Sequence, residues 1–293
     1  FDPATGEVTA TAALSPGNHV ITLTAGIGGL ESSATLHVGV CEELYEDFSD
    51  ELDPSVWSVY EDAAWDSGGF LEMTGDVQNR SGKIFNTSYT LQPSYLQASF
   101  KIYTGPNTES GGDGFSFYIV NAPDLAGLAE VLKCSGGIGN DYSAGLADCS
   151  MTEEELAGIE SFSVEFDTFG NGSGCGNTNA SVDPVCSDHV AICTDGSPMP
   201  FNWTEDLFGQ AEEAPFWADA GELEDSQWHD VGISLEGSSA TVTLDGAVII
   251  DTALPAFSFK GGFFGFTART GAATNHHRFD DIRIRTSCGY TGE

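Results

Sequence analysis

Between Val164 and Thr194 the chain reads V-E-F-D-T-F-G-N, then a Gly/Ser/Asn/Cys loop, then D-P-V-C-S-D-H-V-A-I-C-T. This pattern predicts a strand that leaves its sheet through an oxygen-rich loop and returns as a second strand. Alternation sets Glu165 and Asp167 on one face of the incoming strand and Val164 and Phe166 on the other. Two carboxylates side by side repel unless a positive charge lies between them. A hard divalent cation, with about six to eight oxygen ligands, is the usual partner for such a set. Metal binding on a sheet is the first expectation.

The rest of the chain also reads as sheet. Across 293 residues there are 36 Gly and 19 Phe, and no helical periodicity persists beyond about two or three turns, which favours many short strands joined by Gly-rich connections. Strands are expected at 70–73, 95–103, 115–120, 161–167, 189–194, 231–235, 240–244, 247–251, 263–267 and 279–285. Asp245-Gly246 between T-V-T-L and A-V-I-I is a type I′ hairpin signal. Short helical turns are expected at 125–132 and 153–159, the second with Thr152 as N-cap and Glu155 completing a capping box, both as surface connections rather than core helices. So many strands with alternate apolar faces predict an all-β, two-sheet antiparallel sandwich. Residues 1–40 carry three alternating strands that resemble the end of an immunoglobulin-like repeat. Composition changes at Cys41, so the expected division is 1–40 and 41–293.

The charge balance limits the partners. With 45 Asp and Glu against 9 Lys and Arg, the net charge is −36, which repels phosphate backbones and anionic lipid and excludes nucleic acid and membrane surfaces as ligands. Neutral ligands and cations remain. Acidic residues outside the central stretch read mostly as solvated surface. No run of about 18 apolar residues is present, so no membrane insertion is expected. A chain beginning at Phe1 reads as cut from a longer precursor. Seven Cys suggest an oxidising compartment. Cys134 with Cys149 would close a Gly-rich loop, and Cys41 with Cys288 would join the ends of the second domain. Of Cys175, Cys186 and Cys193, an extended 189–194 separates the last two too far for one bridge, which favours Cys175 with Cys186. Asn-X-Ser/Thr occurs at Asn79, Asn86, Asn171, Asn179 and Asn202 and matters only in a glycosylating source.

The string E-F-D-T-F-G-N, with D-P and D-H-V-A-I after it, resembles the metal-binding loop of the L-type (legume-type) lectins, the concanavalin A-like jelly-roll sandwiches. Three further segments resemble the family in order: G-G-D-G-F-S-F-Y-I-V at 111–120, S-G-G-I-G-N-D-Y at 135–142, and F-G-F-T-A-R-T-G-A-A-T-N-H-H-R-F-D-D-I at 264–282. The resemblance implies that Asp167, the Phe169 carbonyl, Asn171 and Asp183 hold Ca²⁺. It also implies that Glu165, Asp167, Asp183 and His189 hold a second divalent metal, often Mn²⁺. Oxygen-rich sites suit Ca²⁺, and one imidazole among carboxylates suits Mn²⁺ or Zn²⁺. For the sugar it implies that Asp113 accepts from two hydroxyls, an amide of Gly136 or Gly137 donates, Asn171 donates, and Phe169 stacks on the ring. Gly271, Ala272, Ala273 and Asn275 would form the specificity loop. Calcium would also hold the peptide before the loop Asp, here Gly112-Asp113. Vicinal hydroxyls pair with a carboxylate and an amide, and a C–H face packs on an aromatic ring, whatever the family. The loop from Asn171 to Asp183 is longer than in plant lectins, and Asp188 adds a carboxylate beside His189.

Rival readings are weaker. Laminarinase-type hydrolases on the same sandwich use E-x-D-x-x-E or E-x-D-x-E, with two Glu about 5 Å apart. Here Glu165 and Asp167 are followed by Thr168, Phe169, Gly170 and Asn171, without the second Glu, and no Ser/His/Asp or Cys/His set is legible. The chain is therefore expected not to be an enzyme. A laminin-G-like protein-binding or structural adhesion module is the alternative, against which the E-x-D-x-F-x-N string stands; the negative charge also argues against sulfated glycans. His276 and His277 read as solvent-exposed loop or strand-end residues, and Arg269 has no assigned role. The expected function is calcium-dependent glycan binding by a secreted or cell-surface module, one domain of a larger adhesin.

Overall fold

The computed structural model describes residues 17–27, 30–40, 43–91, 95–106, 111–134, 149–170, 187–194, 216–254, 257 and 259–286. Two large antiparallel sheets dominate it. One runs in the order β12 (Trp217–Gly221), β11 (Asp188–Thr194), β10 (Ser161–Asp167), β9 (Gly114–Val120), β16 (Phe263–Thr270), β7 (Arg80–Asn86), β4 (Trp57–Glu61). The other runs β15 (Ala247–Ala253), β14 (Ser239–Leu244), β13 (Trp228–Glu236), β8 (Tyr95–Gly105), β17 (His276–Thr286), β6 (Phe70–Thr74), β5 (Ala64–Asp66), and β3 (Glu43–Glu46) also pairs with β17. This is the concanavalin A-like sandwich expected from the sequence. The turn at Asp245-Gly246 has φ of 49° and 78°, as a type I′ hairpin requires. Strands β3, β4, β5, β7 and β12 add to those expected from the sequence; they lack a clear period-2 pattern because they are short, or in β7 interrupted by Gly82 and Lys83. N-terminal to the sandwich, β1 (Gly17–Ile27) and β2 (Leu30–Val40) form a hairpin in register from Gly17↔Val40 to Ile27↔Leu30. The first of the three strands expected there lies outside the described residues.

The inner core lies between the sheets and is rich in rings. Phe100 meets Phe117, Phe266 and Phe279 at centroid distances of 5.7, 5.2 and 5.8 Å, and Phe266 and Phe279 approach to 4.2 Å. Stacked, edge-to-face and tilted pairs of this kind add about 0.5–1.5 kcal/mol each beyond their area burial.

A second core corrects the expectation that the helices are only surface connections. α1 (Leu125–Lys133) is capped by Asp124, and α2 (Glu153–Ala157) carries the Thr152/Glu155 capping box. Leu128, Val131 and Leu132 of α1, with Leu156 and Ile159 in and just after α2, bury against Phe85, Tyr118, Val120 and Phe263 on the outer face of the seven-stranded sheet. Cys134 and Cys149 form the expected disulfide, Cα–Cα 4.6 Å, between the end of α1 and the approach to α2. Lys83, 4 % exposed on the same face, donates to the Leu132 carbonyl at 3.2 Å and to Glu61 at 2.9 Å. Every residue of β9 is buried, because both faces of its sheet are covered there. Cys41, Cys175, Cys186 and Cys288 lie outside the described residues. Cys193 is a buried thiol whose Sγ donates to Glu165 Oε2 at 3.5 Å. No described helix is long and apolar enough to cross a membrane.

Candidate functional site

At one end of the seven-stranded sheet the start of β9, the ends of β10 and β16 and the start of β11 come together. Asp113, the residue before β9, ties them: its N–H donates to the Arg269 carbonyl at 3.0 Å and its carbonyl accepts from Thr168 N at 3.2 Å. Its carboxylate accepts from the Gly271 N–H and lies 3.5 Å from Arg269 Nε, with 28 % of the side chain exposed. Burial raises the Asp113 carboxyl above its ordinary value, while Arg269 and the Gly271 amide oppose that rise. A Cβ on Gly271 would stand 2.8 Å from Asp113 Oδ1, so a larger residue there would displace the carboxylate. Gly112, at φ +140°, packs against Phe169; a Cβ would fall 2.6 Å from Phe169 Cβ and 3.1 Å from its ring. The Gly112–Asp113 peptide is cis. Asp113, Phe169 and Gly271 are thus brought together at one spot.

The outer face of β10 carries Glu165 and Asp167, as alternation predicted. Asp167 stands opposite His189 on β11 and Gly114 on β9, and Glu165 stands opposite Ala191 and Ser116. Asp167 Oδ1 accepts from Phe169 N at 2.8 Å, which turns the chain out of the strand. His189 is 8 % exposed; burial drives it down to about 4, against the pull of Asp219. Its imidazole is therefore neutral near pH 7, the state that can ligate a metal. Gly136, Gly137, Asn171 and Asp183 lie outside the described residues.

In the loop after β16, Ala272 is exposed and Ala273 half-buried. The loop is tied to the β6–β7 connection: Asn79 N donates to the Gly271 carbonyl at 3.0 Å and Gln78 Nε2 to the Ala272 carbonyl at 2.7 Å. Asn275 is fully buried and its amide donates to Glu224. His277 corrects the expectation of exposure. It is fully buried, with Nδ1 2.6 Å from Thr74 Oγ1, and burial pushes it down to about 3. His276 is half-buried and bonds Glu72 at 2.8 Å. Arg269, unexplained in the sequence, pairs with Asp113.

A second acidic group was not anticipated. Among the described residues, Asp188, Glu222 and Glu224 form the one set of three ligand-type side chains whose donor atoms fall within 4.8 Å of one another. Asp188 opens β11 where its pairing with β12 shifts register, and both it and its neighbour His189 are buried. It accepts from Leu223 N at 2.6 Å. Burial first, then the neighbouring carboxylates, raise Asp188 to about 6 and Glu224 to about 8. The sequence offers only the E-L-E string of 222–224, which lies outside any strand, and nothing local says that it meets Asp188.

Residues 45–129, a span that includes Asp113, match the model of the legume-like lectin family. The fold is similar to that of the VIP36 exoplasmic/lumenal domain. The Ca²⁺/Man3GlcNAc-bound form of that domain matches at TM-score 0.55 and 14 % identity, covering 79 % of this chain and 84 % of that one. Its Ca²⁺/Man2-bound form matches at 0.57 and 15 %, covering 86 % and 88 %. The Emp47p carbohydrate recognition domain matches at 0.57 and 13 %, covering 84 % and 95 %. At such identities these likenesses establish the fold.

Proposed function

We propose that this L-type lectin domain is a carbohydrate-binding module, with no catalytic role, whose sugar site depends on calcium. The observation that carries the reading is Asp113: a partly exposed carboxylate held between the Gly271 amide and Arg269, beside an aromatic ring. That arrangement gives a diol-bearing sugar an acceptor and a stacking surface at once. Phe169, Asn171, Gly136 or Gly137, and the 271–275 loop would supply the remaining contacts. Support comes also from VIP36, whose structures carry calcium together with mannose-containing ligands.

The donor set fits divalent metal. Asp167, the Phe169 carbonyl, Asn171 and Asp183 would hold Ca²⁺, and the neutral imidazole of His189 with Glu165, Asp167 and Asp183 suits a second, softer ion such as Mn²⁺. Bound calcium would fix the loop so that the Phe169 ring and Asn171 stay aimed at the sugar. The E-x-D string without its second Glu favours binding over glycoside hydrolysis. The disulfide and the exoplasmic/lumenal setting of VIP36 favour an extracytoplasmic location. A secreted or cell-surface role within a larger adhesin, with the N-terminal strands as the end of an immunoglobulin-like repeat, is the setting we favour.

A glycan array read in calcium and again in chelator tests this. Retention of at least one glycan in calcium, lost in chelator and lost in Asp113→Ala with an unchanged melting temperature, is expected. Equal retention in both conditions, or none in either, overturns the reading.

A further inference from the structure

The 222–227 segment joins β12 to β13 and is fixed at three points. The Asp188 carboxylate accepts from the N–H groups of Leu223 and Glu224, the Leu223 side chain is buried in the inner core, and Ser226 N donates to the Thr104 carbonyl of β8 at 3.1 Å. Glu224, 2 % exposed, is thereby presented to two other segments. Its carboxylate accepts from the Gly111 N–H and from the side-chain amide of Asn275, which is itself fully buried. Gly111 opens the segment that ends in Asp113, and Asn275 closes the one that begins at Gly271. The same two segments meet again where the Asp113 carboxylate accepts from the Gly271 N–H. Two ties between two segments fix their relative orientation, where a single tie would leave a hinge. Burial of an ionisable side chain is unfavourable unless it is hydrogen-bonded; here the bonds run to the two segments of the site.

We infer that Glu224 is a positioning residue for the sugar site: it clasps the 111–113 and 271–275 segments from within and so holds Asp113 against the Gly271 amide. The inference rests on the carbohydrate reading above. Asn275, with no exposed surface, acts through this clasp and does not touch the sugar. A buried group that holds binding residues to within about 0.5 Å of their productive geometry raises affinity without contacting the ligand. Loss of the clasp removes a buried acceptor from the Gly111 N–H and from the Asn275 amide, and a buried donor so left draws in water or shifts the chain that carries it. Either outcome displaces Asp113, which follows Gly111 in the same short segment. The calcium ligands proposed above belong to other segments, 167–171 and 183, so the clasp sets sugar affinity and not calcium affinity.

The test uses the full chain, well below each variant's melting temperature, with two probes: Ca²⁺ alone and, in saturating Ca²⁺, the glycan that the calcium array retains most strongly. E224A and N275A should each weaken that glycan about tenfold, the size of one charge-assisted hydrogen bond at Asp113. Calcium affinity should change by less than the roughly tenfold that marks a disturbed outer shell of a metal. The double variant should lose little more than E224A alone, because both substitutions open one clasp. E224Q, which keeps a carbonyl acceptor, should recover part of the loss. Hydrogen exchange, read in calcium without sugar, should quicken together at 111–113 and 271–275 in E224A while amides of β8 stay protected. Should E224A not fold, N275A and E224Q carry the same comparisons. Unchanged exchange in the two segments, additive losses in the double variant, or a glycan loss accounted for by a parallel loss of calcium affinity overturns the inference while leaving the lectin reading in place. Retention of no glycan by the unaltered chain removes both.

Discussion

The two faces of the seven-stranded sheet are both covered, yet they are built for different ends. The inner face meets the second sheet through a nearly continuous set of rings around Phe100, and its polar intrusions sit at one end, where Glu224, Asn275 and Asp188 close on one another. The outer face is divided along its length. Toward one end, two short helices joined by a disulfide cover Phe85, Tyr118 and Phe263. Toward the other lie Glu165, Asp167, His189, Asp113 and Arg269. An aromatic core fixes strand positions to a fraction of an ångström because it is close-packed. The outer face uses that rigidity: it carries its charged groups on strands whose other side cannot move. The candidate site thus lies on the part of the outer face beyond the two helices, on strands whose inner side is packed in the aromatic core.

Replacing Phe266 by Ala should give the largest effect, about 3–5 kcal/mol, because a fully buried ring packed against Phe100, Phe117 and Phe279 leaves a cavity that two sheets cannot close. Chemical denaturation measures it; a loss under about 1 kcal/mol would mean that the inner face does not dominate stability.

Glu224 comes next. Its folded value of about 8 lies above the ordinary 4.5, so between those values the folded chain keeps a proton that the unfolded chain has released. Stability present below pH 4.5 is therefore lost as pH rises through 8, by on the order of 5 kcal/mol at about 1.4 kcal/mol per pH unit. In chelator, Glu224→Gln should flatten the stability–pH curve between about pH 4.5 and 8, since an amide does not ionise. A variant curve parallel to that of the unaltered chain would show that this inner cluster carries no buried proton.

The outer layer should respond separately. Cys134→Ser with Cys149→Ser removes a crosslink spanning 15 residues and should cost roughly 3 kcal/mol by the chain-entropy account. Hydrogen exchange should quicken in α1 and α2 while amides of β8 and β17 keep their protection. Uniform acceleration across both sheets would mean that the two faces unfold as one unit and the division drawn here fails.

How much of this was legible varies by residue. Glu165 and Asp167 needed only alternation, and the Thr152/Glu155 capping box only a four-residue pattern, so both could be read directly. Helix α1 was legible as a helix, but its burial was not: Leu128, Val131 and Leu132 find a partner only because β7, β9 and β16 lie side by side beneath them. His277 reads like a strand-end histidine and is buried because β6 and β8 flank it. The pairing of Arg269 with Asp113 spans 156 positions of sequence and appears only when β16 lies beside β9.

The sequence by itself determined which residues alternate, where turns fall, which residue types could hold a cation or a sugar, and a net negative charge that opposes anionic polymers. Those are local or summed properties, and a chain carries them before it folds. The tertiary structure alone decided what covers each face, which carboxylates are buried, and which groups meet at Asp113. Burial and proximity depend on strand order, and strand order joins residues whose positions in the chain say nothing about their distance.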